Sequence, residues 1–169
     1  RVTLRTVTSR SLKGKAVEDC IPKTRGRGCA LSFSNPSLEQ LQQDECELFF
    51  LALPHGAGAE YAEPLLDAGK KVIDLSADFR LNSARTYEEF YGQPHPSPKW
   101  LERASYGLPE LHELSWDNSP LIASPGCYPT SILIPLVPLL KEKLIRIEGI
   151  VANSMSGIIG AGRNASEKL

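Results

Sequence analysis

Cys127 follows Ser124-Pro125-Gly126, where a tight turn meets an apolar, helix-like run. A thiol at or just before a helix N-terminus feels free N–H groups and the helix dipole, which favour the thiolate. A thiolate there suits attack on an acyl carbon. A buried thiol that only fills space is the other reading of such a residue. Three further segments put reactive side chains at the end of a strand-like run: Thr8-Ser9-Arg10-Ser11, Leu53-Pro54-His55-Gly56 and Ser76-Ala77-Asp78-Phe79-Arg80. Open α/β sheets bind ligands at the carboxyl ends of their strands. In a dinucleotide fold, an acid after the second strand binds the ribose hydroxyls of NAD, whereas an Arg accommodates the 2′-phosphate of NADP. Here the acid is absent and hydroxyls flank Arg10, which favours NADP over NAD; a solvated basic loop is the alternative. Arg80 and Arg163 each offer a planar fork matched to carboxylate or phosphate, or are surface arginines. Gly157, Gly160 and Gly162 would let backbone approach a ligand closely, or make a flexible loop. His55 sits at a strand end beside Gly56. His95 and His112 fall in loop-like segments and receive no role.

The elements that must hold these residues read as follows. Val2–Thr8 alternates as a strand rich in β-branched residues. A basic, polar stretch without period runs from Ser9 to Gly28. Ser37–Gln43 reads as a short helix capped by Asn35 or Ser37, with Pro36 near its start. Glu47–Leu53 is a nearly continuous apolar run, which predicts a strand buried on both faces. Pro54-His55-Gly56 breaks it. Ala57–Ala68 is helical, with Gly69 suited to end it, and Lys71–Leu75 is the next strand. This is a βαβ unit, and it argues for a doubly wound α/β sheet. Ser83–Tyr91 is a further helix, Gln93–Lys99 a Pro-rich loop and Pro120–Ala123 a short strand. Thr130–Lys143 is helix-like, but Pro135 and Pro138 predict a kink or two segments. Ile147–Asn153 reads as a last strand.

The chain has 169 residues, enough for about one domain. Hydrophobic residues make up 41% and charged residues 23%, the balance of a globular chain. Lys plus Arg number 19 and Asp plus Glu 20, a formal net charge of −1 that gives no electrostatic footprint for nucleic acid or an anionic membrane. The longest apolar stretch, Ile132–Leu140, is too short to span a bilayer. The four cysteines, at 20, 29, 46 and 127, contain no C-x-x-C pair, so neither a zinc site nor a disulfide framework is expected.

Taken together, these segments resemble the N-acetyl-γ-glutamyl-phosphate reductase family of arginine biosynthesis. The resemblance rests on Phe49–Gly56, Val72–Leu81, Tyr106-Gly107-Leu108-Pro109-Glu110, Ser124-Pro125-Gly126-Cys127-Tyr128-Pro129-Thr130, and Ser156-Gly157 with Gly160-Ala161-Gly162-Arg163, in the family's order. It implies a Rossmann-like, NADP-binding part over residues 1–126 and the opening of an α+β catalytic domain over 127–169. It implies an NADPH-dependent reaction in which Cys127 attacks the acyl phosphate, phosphate leaves, and the thioester is reduced to N-acetylglutamate 5-semialdehyde. Arg80 would then hold the phosphoryl group and Arg163 the substrate carboxylate. Ser9 and Arg10 would contact the 2′-phosphate, while Pro54, Gly56, Gly160 and Ala161 would lie near the nicotinamide and ribose. No metal is implied. A small-molecule substrate, a homo-oligomer (dimer or tetramer) and a cytoplasmic setting are, with a plastid or mitochondrion possible in a eukaryote.

Two features depart from that family. No Gly-rich pyrophosphate turn precedes the first strand, and the family's general acid/base His lies beyond the Gly-Ala-Gly-Arg stretch. The sequence therefore reads as an internal fragment, expected to be inactive and to bind NADPH weakly alone. A missing first strand would be central in the sheet, so apolar edges should be exposed. The runners-up are an aspartate-semialdehyde dehydrogenase, with the same chemistry on another acyl phosphate, and a non-catalytic binding module derived from this family.

Overall fold

A computed structural model of the chain describes residues 2–111 and 118–157. Strand β1 (Val7–Thr8) is the part of the expected Val2–Thr8 strand that finds a partner. After it, the basic stretch carries one short helix, α1 (Val17–Cys20), and a 3-10 turn at Pro22–Thr24. Strand β2 (Phe33–Ser34), which periodicity did not indicate, then pairs in parallel with β1 through Val7 and Thr8. Helix α2 (Leu38–Gln43) begins where its residues dictate. The Ser37 hydroxyl accepts from Gln40 N–H, and the Gln40 side chain accepts from Ser37 N–H.

The βαβ unit follows as β3 (Leu48–Leu51), α3 (Gly58–Asp67) and β4 (Lys71–Asp74). Helix α3 buries a stripe of Ala59, Ala62, Leu65 and Leu66, the spacing of one helical face. Gly69 ends it at φ +78, where a side chain would be strained, with N–H bonds from Gly69 and Lys70 back to Leu66 and Leu65. Helix α4 (Ala84–Tyr91) is capped by the Ser83 hydroxyl. The segment read as a Pro-rich loop closes with a helical turn, α5 (Pro98–Leu101), because Pro98 at a first helical position costs no hydrogen bond. Strands β5 (Ser105–Tyr106) and β6 (Leu121–Ala123) lead to helix α6 (Cys127–Lys141).

Among the described residues the named strands all pair in parallel, with one isolated antiparallel bridge between Ala16 and Ser32, and the second sheet runs β3-β4-β6-β5, separate from β1-β2. This is α/β architecture of the incomplete doubly wound kind. The core forms where Ala62, Leu65 and Leu66 meet Val72 and Leu121, with Phe79, Tyr87 and Leu101 closing it.

Three expectations are corrected. The apolar run at β3 is not buried on both faces. Its strand lies at the edge of its sheet, and Phe50 is 59% exposed. Helix α6 is continuous through Pro135 and Pro138. The two prolines stand three residues apart, so their missing N–H donors fall on one side while the rest of the ladder carries through. Ile147–Asn153 forms no strand. Its β-branched residues have the propensity, but no strand lies beside them among the described residues, and propensity without a partner makes no ladder.

Candidate active site

The parallel register brings the chemistry-bearing segments to one edge of the sheet. Asp74 ends β4 opposite Leu51 and Ala123, so the carboxyl ends of β3, β4 and β6 are level. Leu75 N–H to Leu51 C=O and Ser124 N–H to Asp74 C=O carry the ladders into the loops. The β4–α4 loop then links Asp74, Ser76 and Asp78 in one hydrogen-bond network, with Arg80 two residues further on.

Asp74 and Asp78 are fully buried. The Asp74 carboxylate accepts from Ser76 N–H at 3.1 Å and from the Ser76 hydroxyl at 2.7 Å, and that hydroxyl accepts from Asp78 N–H. Asp78 turns toward β3 and α3. Its carboxylate accepts from Gly56 N–H at 2.7 Å, Ala59 N–H at 3.1 Å and His55 Nδ1 at 2.7 Å. It thereby caps α3 from outside, which Ala57, the N-cap residue, has no side chain to do.

Gly58 is what lets the helix sit on these groups. A Cβ there would lie 2.7 Å from Ser76 Oγ and 3.0 Å from oxygens of Asp74 and Asp78. Gly58→Ala is expected to destabilise the fold by about 1–3 kcal/mol, because the atoms it would strike are short, hydrogen-bonded side chains. Urea unfolding measures it, and an unchanged midpoint would contradict the packing described.

Burial pushes the Asp74 carboxyl above its ordinary value, opposed by the Ser76 hydrogen bonds and reinforced by the Asp78 charge. The folded state therefore holds this proton more tightly than the unfolded chain. The stabilisation is full below the ordinary aspartate value and is lost as pH rises through the raised folded value. Wild type minus Asp74→Asn stability should thus increase as pH falls from 7 to 4. Denaturant midpoints of both proteins across that range test it, and a flat or reversed difference contradicts it. The comparison cancels His95. Burial pushes that imidazole below its ordinary value, so its contribution weakens below about pH 6.5, the ordinary histidine value. His95, given no role from sequence, is in fact buried. Its Nδ1 accepts from Ser97 N–H and its Nε2 donates to the Asp78 carbonyl.

Arg80 turns the other way, toward β6. Its Nε donates to Ser124 C=O at 2.8 Å and its Nη2 to Leu75 C=O at 3.1 Å. A Cβ on Gly126 would lie 3.1 Å from Arg80 Nη1, so the guanidinium is seated against the turn that carries the cysteine. Cys127 is the first residue of α6 and is exposed. The Thr130 N–H and hydroxyl both donate to Gly126 C=O and close the first turn beneath it. Pro129, inside that turn, forfeits no helical bond.

At the end of β1, Arg10 is exposed and its Nη2 donates to the Tyr61 hydroxyl on α3 at 2.8 Å. Ser9 Oγ accepts from Leu12 N–H and lies 3.5 Å from Ser11 Oγ. Pro54 and Gly56 are exposed at the end of β3, and Gly56 takes φ +87. The structure thus joins His55 and Gly56 to the 74–80 loop through Asp78, and Arg80 to the Cys127 turn. It joins Arg10 to α3 through Tyr61. Gly160, Ala161, Gly162, Arg163 and His112 lie outside the described residues. Gly157 is exposed. Sequence reading missed Asp78 as the hub, although an acid, hydroxyl, acid and Arg at alternate positions after a strand was a signal for it.

A family model described as the NAD-binding domain of semialdehyde dehydrogenase matches residues 1–118. The chain belongs to the semialdehyde dehydrogenase family. A second model, the semialdehyde dehydrogenase dimerisation domain, matches residues 127–169. The chain is similar to the N-acetyl-gamma-glutamyl-phosphate reductase of Akkermansia muciniphila, at 47% identity over 98% of this chain and 48% of the relative. Proteins of that name from Desulfotalea psychrophila (47% identity; 98% of this chain, 47% of the relative) and Geobacter sulfurreducens (45%; 97% and 46%) are similar as well. The chain spans about half the length of the curated relatives it matches. Among the described residues, no helix is long and apolar enough to cross a membrane.

Proposed function

We propose that the chain is the cofactor-binding and nucleophile-bearing part of an NADPH-dependent N-acetyl-γ-glutamyl-phosphate reductase. Residues 1–126 are its partial NADP-binding part and 127–169 the opening of its catalytic domain, which works as a cytoplasmic homo-oligomer. The observation that carries this reading is the exposed Cys127 thiol at the first residue of α6, on the turn against which Arg80 is seated. The relatives named for this activity support the substrate.

The residues present fit a nicotinamide dinucleotide phosphate. A guanidinium flanked in sequence by two serines, with donors left over beside its Tyr61 bond, suits a phosphate dianion, and the Glu60 carboxylate on α3 is the one acidic charge that bears on Arg10 among the described residues. Gly56, with no side chain over the end of β3, leaves space for a ligand to approach the backbone. Ser9 and Arg10 would hold the 2′-phosphate, and Pro54 and Gly56 the nicotinamide end, joined by Gly160 and Ala161. The cofactor, when bound, supplies a hydride.

The chain's own residues do the acyl chemistry. The Cys127 sulfur attacks the acyl carbon, the C–O bond to phosphate breaks, and inorganic phosphate leaves a thioester on Cys127. Arg80 offers its remaining N–H donors to the phosphoryl group as charge moves onto the leaving oxygen. Arg163 holds the substrate carboxylate. When the reduced carbon departs as the aldehyde, Cys127 regains its thiolate.

The test is the reverse reaction in the full-length enzyme. N-acetylglutamate 5-semialdehyde and aspartate semialdehyde are each supplied with NADP and phosphate, and NADPH formation is followed. Formation with the first aldehyde alone is expected. Formation only with aspartate semialdehyde would reassign the substrate, and none with either would overturn the enzymatic reading.

A further inference from the structure

The His55–Asp78 pair is not used by the acyl chemistry, yet its geometry is highly constrained. Asp78 is fully buried, and its carboxylate takes three donors, all from the segment 55–59 that leaves β3. An ionised carboxylate only accepts, so the 2.7 Å contact puts a proton on His55 Nδ1. In the neutral ring the other nitrogen, Nε2, then carries a lone pair. The ring is held in place as well as in tautomer. It stacks on Tyr91 with centroids 4.4 Å apart, and Tyr91 in turn packs on Tyr87, which is buried edge-on against His95. Yet the His55 side chain is 38% exposed, and among the described residues Nε2 has no hydrogen-bond partner. A helix cap needs the backbone N–H groups of Gly56 and Ala59. It does not need an imidazole fixed at both its tautomer and its plane, at the carboxyl end of a parallel strand where ligands bind.

We propose that Asp78 is a positioning residue for the cofactor: it presents His55 Nε2 as an acceptor for a hydroxyl or amide N–H of the dinucleotide. This deepens the reading above and rests on its placement of Pro54 and Gly56 beside the cofactor, between which His55 stands. The arrangement selects for an uncharged donor. A phosphate oxygen, which only accepts, finds no proton at that nitrogen while the ring is neutral.

The experiment uses the full-length enzyme at pH 8, with ring-15N histidine for NMR and NADPH binding measured by fluorescence titration. The wild-type ring should be protonated at Nδ1, with Nε2 moving on NADPH addition. Asp78→Asn, whose amide can donate to Nδ1, should switch the proton to Nε2. His55→Asn keeps an N–H near Asp78 but has no atom where Nε2 stands, and it should raise the Kd for NADPH about tenfold, the worth of one hydrogen bond. His55→Gln, which can return an acceptor near that place, should recover part of the loss. A wild-type ring protonated at Nε2, a His55→Asn enzyme that binds NADPH as wild type does, or a wild type that does not bind NADPH would overturn the proposal. The ring measurement needs no variant to fold. An enzyme that binds NADPH through His55 but fails to reduce the acyl phosphate would sink the substrate assignment and leave this proposal standing.

Discussion

Cys127→Ser is expected to lower turnover of the acyl phosphate by about a thousandfold or more in the full-length enzyme. The side chain is exposed at the start of α6, so replacing sulfur by oxygen disturbs no packing and the fold should keep its thermal midpoint. A serine hydroxyl at that place has no adjacent base among the described residues to activate it, and an alcohol is a far weaker nucleophile than a thiol without one. NADPH binding should be unchanged. The decisive measurement is single-turnover phosphate release, which reports thioester formation separately from reduction. Wild-type phosphate release from the serine enzyme would rule out the sulfur as nucleophile.

Arg80→Ala should reduce kcat/KM by about a hundredfold to a thousandfold, the scale seen when a preorganised donor to developing charge is removed. It should also cost about 2 kcal/mol of stability, since the guanidinium ties Leu75 C=O and Ser124 C=O together and so fixes the end of β4 to the turn before Cys127. Arg80→Lys separates the two roles. Lysine restores the positive charge but not a planar fork that reaches two carbonyls at once. Its activity should stay closer to the alanine variant than to wild type. Phosphate inhibition constants, measured beside the unfolding midpoints, decide between them. A lysine enzyme with full activity would show that charge alone is what Arg80 contributes.

What sequence could show follows the range of the interactions. Helix α2 was legible because its capping groups lie three residues apart, at Ser37 and Gln40. The β3-α3-β4 unit was legible because its apolar stripe and its terminal glycine are local signals. The place of Cys127 at the start of a helix was legible because Pro125 and Gly126 mark the turn and the apolar run marks the helix. The Asp78 network was not, because its donors come from residues 22 and 19 positions away, across a helix. Nor was the exposure of Phe50, which depends on strand order rather than on period. The helix through Pro135 and Pro138 shows the opposite failure: a strong local rule was outweighed because the two missing donors fall on one side of the helix and the rest of the ladder carries through. For Ile147–Asn153 the local propensity was real, but a strand also requires a neighbour that sequence does not specify.

Helix α6 buries none of its fifteen residues, although it is among the most apolar segments of the chain. A groove of about 450 Å³ runs between its Ile132–Leu139 flank and residues 150–155. Cys127 opens this same helix. Ser131, the first residue of the helix to line the groove, stands about one turn beyond Cys127, so a partner that covered this flank would reach to within a turn of the sulfur.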